Sequence, residues 1–259
     1  TRLGKNASRI KSVNFFRFCP HCWQEQMEQY GEVYWKCSWQ ITGYEYCTRH
    51  QQSLFVSSMS CNGIDRKFYF AHLNALKDSS QLVFNPQDVN HHNELAGLIE
   101  ELLAHSTSIS VQDFSTLSDT YFLLLKDRDL LLNRKNINYE KVRQLVVDYW
   151  SESFLQYYQL GDLSSENCWL KNICRKHRKA FSYLEHLIVL KALVPEQSPI
   201  YTYQQYLDLA TVGIEEQAIP VTVKHKTYQV LSDDQLKWIQ LIQDMSVKLA
   251  RKHDGALYA

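Results

Sequence analysis

Apolar side chains recur at intervals of three and four residues over much of the chain beyond His91, which is the period of an amphipathic α-helix. In HHNELAGLIEELLAH the recurring positions are Leu95, Leu98, Ile99, Leu102 and Leu103. In NYEKVRQLVVDYWSESFLQYY they are Val142, Leu145, Val146, Tyr149, Trp150 and Phe154. Both stretches therefore predict helices with one buried face, and Asn138 is placed to cap the second.

A third helical stretch, LKWIQLIQDMSVKLARKH, follows a capping box formed by Ser232 and Gln235. Its apolar positions are Trp238, Leu241, Ile242, Met245 and Leu249. The periodicity is interrupted by LKDSSQLVFNPQDVN and PEQSPIYT, which are rich in turn-forming residues and predict linkers. The first part of the chain, about 70 residues, is irregular and rich in aromatic residues, with SLFVSS and KFYFAHL as possible short strands. These patterns predict a mainly α fold behind a small irregular module.

Four side chains of the irregular region form two pairs with the same spacing. Cys19 and Cys22 in CPHC are separated by two residues, and so are Cys47 and His50 in CTRH. Two ligands at this spacing can point at one ion from a single turn, and three Cys with one His are a closed, structural zinc pattern. We therefore predict that these residues hold one structural Zn²⁺, with no open position for a catalytic water.

The other interpretations of these cysteines remain open at this stage. The Cys-x2-Cys pair is also the pattern of a redox dithiol, although no strand-helix context of thioredoxin type surrounds it. His21 and Cys37 are possible substitute ligands, but they break the paired spacing. Cys61, Cys168 and Cys174 are expected to pack as small apolar groups. Seven cysteines without a secretion signal favour a reducing, cytoplasmic compartment.

The stretch ENCWLKNICRKHRKAFSYLEHLIVLKALVP combines an apolar face with a basic one. The basic positions are Lys171, Arg175, Lys176, Arg178 and Lys179, without an acidic residue among them. A break near Ala180 or Ser182 and a second helix ending before Pro195 complete a helix-turn-helix-like pattern that suits docking on DNA phosphates. A solvated, charge-rich helix face is the alternative.

Net charge and hydropathy exclude few classes of binding partner. The formal net charge is zero, which excludes a uniformly basic nucleic-acid coat but not local basic patches. Arg17, Lys36 and Arg49 could bring the irregular region onto the same DNA, with ordinary surface charges as the alternative. No apolar run approaches the roughly 20 residues of a membrane span, so no membrane partner is expected.

Two stretches resemble the TnsD/TniQ family of transposition proteins. The first is SRIKSVNFFRFCPHCWQEQMEQYGEVYWKCSWQITGYEYCTRHQQSLF, which follows the family order of Cys-Pro-x-Cys, Tyr-Gly-Glu-x-x-Trp and Cys-x2-His. The second is CWLKNICRKHRKAFSYLEHLIVLKALVP, which with ARKHDGALYA is closer to TnsD than to the shorter TniQ proteins. Cys19, Cys22, Cys47 and His50 fall on the zinc ligands of the family. The resemblance implies an internal fragment, with Thr48 and Gln51 at positions where the family has Pro or Gly.

The resemblance also implies a function. TnsD-like proteins select the target of cut-and-paste transposons: they bind a chromosomal attachment site, at the end of the glucosamine-synthetase gene in the best-known case, and recruit the AAA+ ATPase TnsC. They have no known catalytic activity, and neither His-Glu-x-x-His nor a nucleophile elbow occurs in this sequence. We therefore expect a bacterial, nucleoid-associated DNA-binding protein. The alternatives are a zinc-stabilised scaffold that docks TnsC or host factors while other regions read DNA, and a zinc hydrolase or thiol oxidoreductase.

The domain organisation expected from these patterns has three parts. A zinc-binding TniQ-like module occupies residues 1–75, and a helical domain occupies residues 76–160. A TnsD-like helical domain with the helix-turn-helix-like basic segment occupies residues 161–259.

Overall fold

The fold is taken from a computed structural model that describes residues 10, 12–61, 69–105, 114–133, 136–175 and 181–216, with the backbone alone at 114–116 and 211–216. The predicted third helix, with Ser232 and Gln235, lies outside these residues. All of these described residues belong to one compact unit, and their buried apolar side chains form a continuous core from Phe18 to Tyr206. The domain boundaries predicted at residues 75 and 160 stay predictions.

The described part of the chain is mainly α, as the periodicity predicts. Its helices are α1 (Pro20–Tyr30), α2 (Val89–Ala104), α3 (Phe114–Asp127), α4 (Tyr139–Trp150), α5 (Glu152–Tyr157), α6 (Trp169–Arg175), α7 (Tyr183–Leu193) and α8 (Pro199–Glu216). None of these described helices is both long and apolar enough to cross a membrane.

The strands are short. They are β1 (Phe15–Phe18), β2 (Tyr46–Cys47), β3 (Gln52–Ser53), β4 (Phe55–Ser60) and β5 (Ser80–Gln81). One antiparallel sheet has the order β1-β4-β5, with Arg17 opposite Val56 and Phe55 opposite Gln81, and β2 and β3 form a separate hairpin. β4 overlaps the predicted strand SLFVSS (residues 53–58) from Phe55 onward, and Ser53 belongs to β3. The described end of KFYFAHL, from Tyr69 onward, contains no strand.

The helix α7 lies at the centre of the helical core. It packs against α4 and α8, and α3 packs against α6 and α8. Every residue of α7 is buried or half-buried, because apolar side chains occupy nearly all of its faces. Its first turn is fixed by a capping box in which Ser182 and Glu185 exchange side-chain and backbone hydrogen bonds. Trp150 at the end of α4 anchors the contact by donating its indole N–H to the Ile188 carbonyl, 2.9 Å away.

The helix predicted over residues 138–158 is divided at Ser151. The backbone of Ser151 has a φ of +66°, in the left-handed region, so α4 ends there and α5 begins at the next residue. The Ser151 hydroxyl accepts from the Phe154 N–H and donates to Asp88, 2.6 Å away. Asn138 caps α4 as predicted, since its side chain accepts from the Lys141 N–H.

Residues 15–60, called here the N-terminal segment, join the helical core through a tightly packed glycine. Gly43 has a φ of +90°, and a Cβ at this position would lie 2.7 Å from Leu184 Cδ1 and 3.0 Å from Ile99 Cδ1. Tyr183 of α7 donates its hydroxyl to the Thr42 carbonyl beside it. The position therefore requires glycine both for its backbone conformation and for the contact with α2 and α7.

Replacing Gly43 by Ala is expected to destabilise the fold more than the same change at Gly31. Gly31 caps α1 with a φ of +74° and has nothing within 4 Å of a Cβ, so both substitutions share the left-handed backbone cost of roughly 1–2 kcal/mol. Only Gly43→Ala adds overpacking, which costs about 1–3 kcal/mol. Urea unfolding of both variants measures the difference in the free energy of unfolding. Equal losses would show that the side chains around Gly43 rearrange to fit a Cβ without an energetic cost.

Candidate metal centre and nucleic-acid interface

Two metal-ligand candidates lie where β1 passes into α1. Cys19 is the N-cap residue of α1, with an extended backbone (φ −107°, ψ 121°), and Pro20 begins the helix. Proline suits this first position because its φ is already helical and its missing N–H has no partner to lose there. Cys22 then lies within the first turn. The strand-to-helix corner therefore places both sulfurs, which are buried, on one side.

The other two candidates lie on the β2–β3 hairpin. Cys47 ends β2, and His50 lies in the turn before β3. Gln51 completes the turn with a φ of +49°, in the left-handed region, and its carbonyl accepts from the Tyr46 hydroxyl at 2.6 Å. The neighbouring Thr48 hydroxyl donates to Glu100 of α2. That Thr48 and Gln51 change the turn relative to the family without moving the ligands stays a prediction.

The structure brings Cys19, Cys22, Cys47 and His50 together, with all four ligand atoms within 4.8 Å of one another. The sulfurs of Cys22 and Cys47 are 3.7 Å apart, and His50 Nδ1 lies 3.3 Å from Cys22 Sγ, 3.5 Å from Cys19 Sγ and 3.6 Å from Cys47 Sγ. Tetrahedral zinc at its usual bond lengths separates two sulfurs by about 3.8 Å and a sulfur from a nitrogen by about 3.5 Å. The four side chains therefore fit a tetrahedral zinc ion.

Neighbouring side chains orient the four candidates. The Gln52 amide donates to Cys19 Sγ at 2.9 Å, and Lys36 Nζ lies 3.8 Å from Cys22 Sγ. His50 turns Nδ1 toward the sulfurs and Nε2 toward Glu25 Oε1, 3.3 Å away. A carboxylate on the far nitrogen of a metal-binding histidine fixes its tautomer and orientation. These residues support the cluster from three directions.

The electrostatics of the cluster favour a bound cation. Hydrogen bonding with Cys22 lowers the pKa of Cys19, while hydrogen bonding with Cys19 raises the pKa of both Cys22 and Cys47. The thiols therefore compete for one negative charge, and only a cation allows all three to be thiolates at this spacing. Because four protein ligands complete the tetrahedron, the ion would hold the two chain segments together and leave no position for a substrate.

The remaining cysteines and the possible substitute ligands lie outside this cluster. The His21 ring centre is 5.4 Å from that of His50, and Cys37 is exposed. Cys168 and Cys174 are buried in the helical core, and burial raises the pKa of Cys174, as expected for packed thiols. Cys61 is half-buried.

The basic segment is only partly described. Lys171 and Arg175 lie on α6, the first half-buried and the second exposed, whereas Lys176, Arg178 and Lys179 lie outside the described residues. The opposite side of α6 is buried through Trp169, Leu170, Ile173 and Cys174. Among the described residues neither cation forms an ion pair. Both charges are therefore available to an anionic partner.

The second helix of the basic pattern is buried, unlike a major-groove recognition helix. A recognition helix presents an exposed face to the bases. The corresponding helix here, α7, has no exposed residue along its length. It packs against α4 and α8 instead, so it offers no exposed face for reading bases.

The other basic residues suggested for the N-terminal segment differ from one another. Arg17 is buried, with Nη1 3.2 Å from Glu45 Oε1 and Nη2 donating to the Ile41 carbonyl at 2.6 Å. The suggestion that Arg17 contacts DNA was wrong, because its guanidinium is enclosed by protein. Arg49 is exposed and pairs with Glu25 at 2.8 Å.

Comparison with known proteins gives matches over both regions. The model of the TniQ family matches residues 1–54, and that of the TnsD family, described as Tn7-like transposition protein D, matches residues 95–206. Transposon Tn7 transposition protein TnsD of Escherichia coli is 32% identical over 266 residues, an alignment that covers 99% of this chain and 50% of that protein. The chain thus spans half the length of this curated relative.

Proposed function

Because this chain belongs to the TnsD/TniQ family of transposition proteins, we propose that it takes part in choosing the insertion site of a transposon by binding double-stranded DNA. The DNA is a chromosomal attachment site, and the bound protein recruits the TnsC ATPase, with host factors as further partners. It acts in the bacterial cytoplasm on the nucleoid and performs no catalytic step itself.

The observation that carries DNA binding is the amphipathic α6. Its apolar side is anchored in the helical core, and Lys171 and Arg175 face away from that anchor without an ion-pair partner among the described residues. A rigid helix holds its charges at fixed positions, so less conformational freedom is lost when they meet phosphates. The sequence continues directly into Lys176, Arg178 and Lys179.

The metal centre has a supporting role in this proposal. Zn²⁺ bound by Cys19, Cys22, Cys47 and His50 joins the β1–α1 corner to the β2–β3 hairpin. Tyr44 and Thr48, which flank Cys47 in the hairpin region, both donate to Glu100 of α2. The ion thereby fixes the surface of the N-terminal segment relative to α2.

Replacing Lys171 and Arg175 together by Ala is expected to weaken DNA binding and its salt dependence. Each lost phosphate contact lowers the slope of log K against log salt by about 0.9, so the double variant loses about two charge units. The measurement is fluorescence anisotropy of a duplex carrying the end of the host glucosamine-synthetase gene, titrated at several salt concentrations.

The matched control replaces two exposed lysines outside α6, Lys77 and Lys126, by Ala. It removes the same net charge, so it separates local contact from a general electrostatic effect. An unchanged slope in the α6 variant would remove α6 from the DNA surface. Retention of TnsC in a pull-down without DNA would then favour the scaffold function.

A further inference from the structure

The first turn of α4 and the basic side of α6 enclose a cleft of about 250 Å³. Its charged lining comes from both helices: Glu140 and Arg143 from α4, and Lys171 from α6. Arg143 is therefore a cation beside the proposed DNA surface, although it precedes Lys171 of that surface by roughly thirty residues in the sequence.

The Arg143 guanidinium is held by Glu140 at the cleft. Its Nη2 donates to Glu140 Oε1 at 2.5 Å and its Nε donates to Oε2 at 3.4 Å. The pair is open to solvent, with Arg143 35% and Glu140 75% exposed. An exposed pair of this kind contributes little to stability, so its exchange for another anion costs little.

The positive charges of α6 reach the same turn of α4. The hydrogen bond from Arg143 lowers the pKa of Glu140, and the charge of Lys171 lowers it further. Burial raises the pKa of the adjacent Tyr139, and the charge of Arg175 opposes that shift. Arg143 and Lys171 thus both act on the Glu140 carboxylate, and Arg175 acts on the neighbouring Tyr139. A phosphate approaching α6 therefore meets these cations together with Glu140.

We propose that Arg143 is a further DNA-phosphate contact of the α6 surface. In the protein without DNA it pairs with Glu140, and on DNA binding it exchanges this carboxylate for a phosphate. The inference rests on the proposed function. The planar guanidinium forms the same paired hydrogen bonds with a carboxylate and with a phosphate. Glu140 repels phosphates until Arg143 leaves it, and so lowers the affinity for DNA in general.

The test measures binding of the full chain to a fluorescein-labelled random duplex of about 40 base pairs, between about 50 and 200 mM salt. Arg143→Ala is expected to weaken binding roughly three- to tenfold and to reduce the salt slope by about 0.9. Glu140→Gln is expected to strengthen binding by a similar factor, and this gain shrinks when Arg143 is also replaced by Ala. Arg143→Lys keeps most of the slope because the charge remains.

The matched controls are Arg128→Ala and Glu196→Gln, which break another solvent-accessible Arg–Glu pair that does not line the cleft. Both are expected to leave the slope unchanged. If Arg143→Ala matches Arg128→Ala while the Lys171 and Arg175 double variant loses slope, the inference is overturned and the proposed DNA surface stands. If the double variant loses nothing either, both are overturned. Should Arg143→Ala fail to fold by circular dichroism, Glu140→Gln decides: stronger binding supports the exchange, and unchanged binding contradicts it.

Discussion

Replacing Cys47 by Ser is expected to unfold the N-terminal segment and to abolish metal binding. Structural zinc sites contribute an apparent 10–16 kcal/mol, roughly, to folding, which is comparable to the whole stability of a typical domain. Cys47 and His50 are the ligands that the hairpin brings to the β1–α1 corner, so the loss of this sulfur removes the metal link between the hairpin and the corner. A strong chelator is expected to have the same effect on the unmodified protein.

Tryptophan fluorescence and circular dichroism measure this loss, because Trp23 and Trp39 are buried in the N-terminal segment. Cys37→Ser is the matched control: the thiol belongs to the same segment but is exposed and outside the cluster. It is expected to retain the metal and the melting temperature of the unmodified chain. Equal melting temperatures for Cys47→Ser and Cys37→Ser would show that the cluster has no part in folding.

Replacing Arg17 by Met is expected to cost about 3–5 kcal/mol of unfolding free energy, because it leaves the Glu45 carboxylate buried without its cation. Arg17 Nη1 lies 3.2 Å from Glu45 Oε1, and the Tyr158 hydroxyl donates to Glu45 Oε2 at 3.3 Å. Burial lowers the pKa of Arg17 and raises the pKa of Glu45, in both cases against the attraction between them. The pair therefore forms at a high desolvation cost. Through Glu45 it also joins the N-terminal segment to Tyr158, which follows α5.

The double variant Arg17→Met with Glu45→Leu tests this interpretation. Two apolar side chains of similar size remove the desolvation cost together with the attraction, so most of the loss is expected to be recovered. Arg128→Met serves as the control, because Arg128 belongs to a solvent-accessible pair with Glu196 and its replacement should change stability little. Chemical unfolding of all three variants gives the comparison. A loss in Arg17→Met no larger than in Arg128→Met would contradict the role of the buried pair.

The positions of the metal-binding side chains were predictable because their signal is local. Each pair is set by its own turn, and the matching spacing of the two pairs indicates one shared ion. The supporting side chains carry no such signal. Glu25 and Gln52 reach the cluster only because α1 and the hairpin fold against each other, and nothing in a single sequence marks that contact.

The helix α1 was missed although its ends are marked. Residues 20–30 are mostly Gln, Glu and other polar residues, so their apolar stripe is short, with Trp23, Met27 and Tyr30. The helix is supported instead by Pro20 at its first position and by Gly31, whose left-handed conformation lets its N–H bond the Met27 carbonyl. Similarly, Pro199 begins α8 within the stretch predicted to be a linker. Terminal signals were more informative than periodicity at both places.

The division of α4 from α5 and the complete burial of α7 also depend on tertiary structure. Apolar periodicity continues across Ser151, but the hydrogen bond of its hydroxyl to Asp88 favours the break. In α7 the run LIVLKAL permits burial on all sides, whereas the helix-turn-helix-like pattern implied an exposed recognition face. Arg143 could not be associated with α6 from sequence, because the cleft joins separate helices.

One zinc ion, bound by three sulfurs and one nitrogen, is expected to organise the N-terminal segment without a catalytic position. Zinc-edge X-ray absorption of the purified chain, together with a measurement of its metal content, tests this expectation most directly. We predict one zinc per chain, with three sulfurs at about 2.3 Å and one nitrogen at about 2.0–2.1 Å. A folded chain without metal, or a zinc shell that includes a water oxygen, would contradict it.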